Sequence, residues 1–332
     1  MNKKIKTRLS LLLVVLALVI LPSAIARFTA KKRFSGELNI NNHPGGRKLR
    51  DVILEDNDGI NAIKAKGIPD FSDISTTKEG IFMAEDDYGD SYYYRGVADN
   101  WVSFAGFYWR IIRINGDGSI RLIYSGTKTN NTGSGTQIWT SAYNSKQNEE
   151  KYADYKISTV KSGVEHWYKL NILDKGYDGK IADTGYCNDM TKKDERDFAS
   201  WARLYQNKTP TLKCPDKAKD LLSKGNNKLI YPVGLLTQDE ASFAGGVYYP
   251  LYNTKPYVNE KYYLYTENLY WTMTPANWNS SNVIIGNISE YGFLNNRDAN
   301  YSEGGVRPVL SLKPNVLVAS GDGKLESPYI IN

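Results

Sequence analysis

The sequence predicts an α+β protein in which a single mixed head follows an N-terminal export segment. Three observations carry that expectation. The stretch "WRIIRINGDGSIRLIY" is a strong β-hairpin pattern, two segments read as capped helices, and a β-rich C-terminal third closes on "GGVRPVLSLK". With 332 residues and 41% apolar composition the chain is long enough for a real core and for one or two domains.

Residues 1–26 read as a signal peptide or a membrane anchor. A basic start carrying Lys3, Lys4, Lys6 and Arg8 precedes the apolar run "LSLLLVVLALVIL", and Ala24 and Ala26 form an A-x-A cleavage pattern. The alternative is an uncleaved anchor, which would tie the protein to the membrane. The flanking basic residues keep that end cytoplasmic and send the bulk outside, so the expected location is extracellular, at the cell surface or secreted. Residues 27–75 read as a linker with one amphipathic helix. Leu49, Val52, Ile53, Ile60 and Ile63 fall on one helical stripe, and Gly67 and Pro69 end it.

From residue 76 to 332 the pattern is that of the head. In the hairpin, Asn115-Gly116 is expected to supply the positive φ of a tight turn, and Arg113 and Arg121 to lie on the polar face. "STVKSGVEHWYKLNI" reads as a helix capped by Ser158 or Thr159. A long irregular stretch up to about residue 228 contains the only two cysteines, Cys187 and Cys214, and an even count in an exported chain predicts one disulfide. In "PVGLLTQDEASFAGG" a short strand is expected to end at Thr237. There Thr237-x-x-Glu240 makes a capping box, and Gly245-Gly246 ends the helix.

Several function classes are excluded or weakened. The formal charge is +6, but four basic residues and no acid lie in the first 26 positions. The remaining 38 basic against 36 acidic residues leave no nucleic-acid footprint. Phosphate-loop, dinucleotide, zinc-protease and nucleophile-elbow motifs are missing, and no cofactor or metal is expected. Glu85, Asp86, Asp87 and Asp90 in "AEDDYGD" lack calcium-loop spacing and read as a solvated acidic turn.

The stretch "YWTMTPANWNSSN" holds two tryptophans and no charge. Tyr270, Trp271 and Met273 read as a β-strand with Trp271 turned inward. Trp278 starts the following loop as an exposed aromatic, set among amides that can bond a sugar or a protein. The motifs "EDDYGDSYYYRG", "YPVGLLTQDE", "YWTMTP" and "GGVRPVLSLK" resemble those of a family of exported surface proteins of low-GC Gram-positive gut-type bacteria. The ending "YWTMTP…GGVRPVL" is more distantly similar to C-type-lectin-like folds, which include the formylglycine-generating enzymes. That resemblance implies a C-type-lectin-like head in which an aromatic-led strand, a variable loop and a closing strand at Gly305, Val306 and Arg307 form the ligand-facing end. The copper-binding cysteine pair of the enzymes has no counterpart between 270 and 310. The expectation is therefore an adhesin or lectin-like binding protein without catalysis, whose partner is a glycan or protein at a cell surface. The alternatives are an extracellular hydrolase and a structural filament subunit. The expected ligand surface spans 277–303, with Asn277, Trp278, Asn279, Asn282, Asn295, Asn296, Asp298, Asn300 and Tyr301 as its residues.

Overall fold

The structure is a computed structural model that describes residues 46–75, 77–248 and 258–332. The expected signal or anchor segment and the linker up to residue 45 lie outside the described residues. Within them the class is mixed α+β, with 23% helix, 30% strand and several sheets.

The central hairpin organises the largest sheet. Strands β5 (Phe107–Ile114) and β6 (Ile120–Tyr124) pair antiparallel. The turn differs from the expectation. Asn115 and Gly116 do not adopt positive φ; Gly118 does, at 83°. Asn115 N–H donates to Ser119 O and Gly118 N–H to Asn115 O, each at 2.8 Å, so a tight turn is followed by a left-handed glycine. Gly116 has a different reason to be glycine, because a Cβ there would stand 2.3 Å from Gly89 N.

Around this hairpin β14 (Val309–Leu312) adds beside β6 and β3 (Gly89–Gly96) beside β5, with β2 (Lys78–Asp86) at the far edge. Strand β4 (Trp101–Phe104) also pairs β5, and β16 (Tyr329–Ile331) pairs β4 in parallel. A second, five-stranded sheet has the order β12 (Leu294–Asp298), β11 (Val283–Ile288), β10 (Tyr270–Trp278), β13 (Gly305–Val306), β7 (Trp139–Thr140). Two-stranded ribbons join β1 (Arg47–Lys48) to β15 (Leu317–Val318) and β8 (Tyr186–Cys187) to β9 (Leu221–Leu222).

The single helix expected over 49–66 is two helices, α1 (Leu49–Asp56) and α2 (Gly59–Ala65). The break sits at Asn57-Asp58. Asp58 is left-handed at φ 69°, and the Asn57 side chain donates to Ile53 O at 2.9 Å. Asn and Asp side chains compete with the helix for backbone groups, and an Asn-Asp-Gly run breaks it. Ile60 consequently leaves the stripe and is 36% exposed, while Leu49, Val52, Ile53 and Ile63 are buried. Both helices belong to the same compact unit as the rest of 47–332. Among the described residues no helix is long and apolar enough to cross a membrane.

Helix α3 (Thr159–Tyr168) begins at Ser158, whose side chain accepts from Lys161 N–H. Helix α4 (Gln238–Ala244) carries the full capping box: Thr237 Oγ1 accepts from Glu240 N–H and the Glu240 carboxylate from Thr237 N–H. Gly245 ends it in the left-handed region at φ 118°. The strand expected before Thr237 is reduced to one bridge, Gly234 with Val309, and Leu236 O instead accepts from Met273 N–H of β10 at 2.9 Å.

Trp271 is fully buried in β10. Its Nε1–H donates to Ser141 O at 2.7 Å and its ring meets Tyr143 edge-on. Gly304 passes so close that a Cβ there would stand 2.1 Å from the indole nitrogen. Trp271→Ala is expected to cost about 3–5 kcal/mol through the lost ring and cavity. Trp278→Ala, at a half-buried position, should cost about 1 kcal/mol. Thermal melts of the two variants check the contrast, and equal shifts would place Trp278 in the core.

Candidate functional site

Residues 277–303 form no single loop. They hold the end of β10, all of β11 and β12, the two turns between these strands, and the segment 299–303 after β12. The ladder pairs Asn277 with Ile284 and Ile284 with Asp298, so these three share a row on one face. Gly286 pairs with Asn296 one row further along that face. Trp278 is the last residue of β10 rather than the first of a loop. It pairs with Val283, so it falls on the opposite face from Asn277.

The other expected residues divide accordingly. Asn279 uses its side chain locally, accepting from Ser281 and Asn282 N–H at 3.1 and 2.8 Å to close the β10–β11 turn. Asn295 pairs with Asn287, and its carbonyl accepts from Gln238 Nε2 at 2.8 Å. Asn300 is exposed beyond β12. Tyr301 lies beside it and donates to Glu303 at 3.2 Å, under the Arg297 guanidinium. Of the expected set, Asn277 and Asn296 line a concave surface.

That surface is an open groove of about 830 Å³. Its floor is Asn277, Ile284 and Asn296, and its wall is the segment from Asp194 to Trp201. The wall is built from the irregular stretch between the cysteines. Asp194 Oδ1 accepts from Arg196 and Asp197 N–H at 2.9 and 2.8 Å. The Asp197 and Arg196 amides hold its carboxyl below the usual range. The wall is zipped to β10: Trp278 N–H donates to Arg196 O at 2.7 Å, Phe198 N–H to Ala276 O at 3.1 Å, and Ser200 Oγ to Pro275 O at 2.6 Å. Asn277 Nδ2 adds a bond to Asp197.

Two further devices fix the wall. Arg203 pairs with both Asp239 oxygens at 2.8 Å and with Asp189 at 3.0 Å. Burial opposes its charge, but these carboxylates more than offset that and raise its pKa. The disulfide Cys187–Cys214, with Cα atoms 5.4 Å apart, closes the segment at its ends. On the wall Trp201 stacks on Tyr205 at 4.9 Å, and Tyr205 meets Tyr248 edge-on. Tyr248 in turn donates to Gln238 at 2.7 Å and bonds Asn296 at 3.1 Å, tying wall to floor.

Two other concave places have a different character. The face expected to be polar, with Arg113 and Arg121, is buried under α4. Arg113 pairs with Asp86 at 2.6 Å and with Glu240 at 3.4 Å. Arg121 Nε stands 2.7 Å from Glu240, a charge contact without hydrogen-bond alignment. Asp86 is thus 3% exposed rather than part of a solvated turn. The cavity among these groups is about 30 Å³, room for a water and no ligand. The third place is a cleft of about 280 Å³ beside Asp56, Asp99 and Asp322. Asp56 accepts from Tyr329 at 2.7 Å, and burial raises its pKa. Asp99 holds Lys78 at 2.5 Å and Asp322 holds Lys324.

Sequence reasoning missed Trp201, Tyr205 and the Asp194–Asp197 turn. The available signal was the i, i+4 spacing of Trp201 and Tyr205 in "DERDFASWARLY", an aromatic pair in a stretch otherwise poor in core pattern. Fold and site together define a mixed α+β protein that presents a side-chain-lined groove. Comparison with protein-family models, characterised proteins and solved structures gives no match.

Proposed function

We propose that this is an exported cell-surface binding protein, an adhesin or lectin-like module that engages its partner through the groove between β10–β12 and the Asp194–Trp201 wall. The observation that carries the reading is the groove itself: aromatic and amide side chains meet on a surface held by a disulfide, an ion-paired arginine and a strand zipper. A rigid scaffold that keeps polar and aromatic groups open to solvent is the physical requirement for recognition. The N-terminal segment supports export. A C-type-lectin-like arrangement of the head is supported by β13 returning beside the aromatic start of β10, with Gly305 opposite Tyr270.

The hydrolase alternative would use the Asp56 cleft. There Asp99 pairs with Lys78, Asp322 with Lys324, and Asp56 accepts from Tyr329. The groove is the better-supported site. The test is a panel of glycans and extracellular proteins probed with purified protein and with Ile284→Arg, which puts a charged side chain across the groove floor. A ligand held by the wild type and lost in a variant that melts normally supports the reading. A ligand held equally by both contradicts it.

A further inference from the structure

We propose that the occupant of the groove is an uncharged oligosaccharide; this rests on the groove being the recognition surface. The hydrogen-bonding groups left open there carry the inference. Asn296 uses one end of its amide on Tyr248 and leaves the other end open. Asn277 bonds Asp197 through Nδ2, so its Oδ1 acceptor is open. The Trp201 Nε1–H, the Glu195 carboxylate and the Arg196 guanidinium make no side-chain hydrogen bond or ion pair among the described residues. Donors and acceptors are therefore interleaved around an apolar centre made by Ile284 and the Trp201 ring.

A ligand that matches this must donate and accept at several points while offering C–H surface. Sugar hydroxyls do both, and a pyranose ring has the apolar face. An anionic chain would use only the donors and, among the lining residues, would meet Asp194, Glu195 and Asp197 against Arg196, with Lys193 beside the Trp201 ring as a further cation. Like charges so close are unfavourable. Asp194 stays charged near neutral pH as an ordinary carboxylate does, and two backbone N–H groups lower its pKa further. An extended peptide would seek an unpaired strand edge. The edge of β10 that faces the wall is already taken by Asp197 and Phe198.

The test is calorimetric titration of the full protein with neutral tri- and tetrasaccharides, uronate-containing oligosaccharides of equal length, and a mixed peptide library. Two wall variants accompany it. Trp201→Ala removes the ring, whereas Trp201→Phe keeps a ring on Tyr205 and removes only the N–H. Neutral oligosaccharides should bind at millimolar concentration or better. Trp201→Ala should weaken them about tenfold or more, and Trp201→Phe should weaken them by a smaller factor with an unchanged melt. Binding confined to the uronates or to peptides, and lost in Ile284→Arg, would overturn the neutral-sugar assignment and leave the groove as the site. No saccharide binding at millimolar concentration would overturn it too. Saccharide binding untouched by Ile284→Arg would overturn the groove reading itself.

Discussion

Glu240→Gln is expected to lower stability by about 3–5 kcal/mol, seen as a shifted denaturant midpoint with an unchanged slope. Glu240 is 4% exposed and faces two buried guanidiniums, Arg113 and Arg121. Both arginines stay in the low-dielectric interior when the charge is removed, and Asp86 can answer only one of them. Burial already pushes the Arg113 pKa down. Glutamine keeps an oxygen for Thr237 N–H, so the helix cap survives and the loss reports the missing charge. Thr237→Ala provides the complementary measurement, because it removes only the capping oxygen and should cost about 1 kcal/mol. Equal losses in the two variants would mean that the cap, and not the charge cluster, holds α4.

Opening the disulfide should have the next largest effect. Cys187 and Cys214 are separated by 27 residues, and closing a loop of that size contributes about 3–4 kcal/mol in the chain-entropy description. The double variant Cys187→Ser, Cys214→Ser should therefore melt well below the wild type. It should also lose groove binding disproportionately, because the loop it frees contains the whole Asp194–Trp201 wall. Binding retained at temperatures where the variant is still folded would show that Arg203 and the β10 zipper hold the wall unaided.

Legibility in the sequence followed the range of the interaction. The α4 capping box depends on residues three apart, and it appears where "TQDE" places it. The inward Trp271 was readable from its neighbours in a strand-like run. The chain around Asn115 was readable as a turn, but its type was not. Gly116 passes against Tyr88 and Gly89 at the β2–β3 turn, a contact that the local sequence does not register. Arg113 and Arg121 alternate along β5 and β6 as solvent-facing residues do, and nothing local announces the α4 carboxylate that buries them. The helix stripe at 49–63 was readable as amphipathic, whereas the Asn57-Asp58 break turned on local side-chain bonding that a stripe does not register.

The candidate site was half legible for the same reason. Asn277 and Asn296 stood out as amides of an expected Asn/Ser-rich loop around Trp278, and both reach the groove floor, although they sit on strands. Trp278 drew attention as the aromatic of an uncharged stretch. Strand alternation instead sends it to the other face, and Trp201 takes the groove position. Trp201 belongs to a segment without periodicity, whose shape is set by the disulfide, the Arg203 pairs and the pairing with β10. Of these the disulfide was readable from the cysteine count, whereas the Arg203 pairs and the pairing with β10 are visible only in the folded chain.

The most direct measurement is backbone hydrogen exchange of the intact protein, with and without neutral oligosaccharides at saturating concentration. Added protection is expected in two stretches, 194–206 and 277–298, with little change elsewhere. Protection confined to the Asp56 cleft, at 56–57 and 322–329, would contradict the groove reading and return the site to the carboxylates.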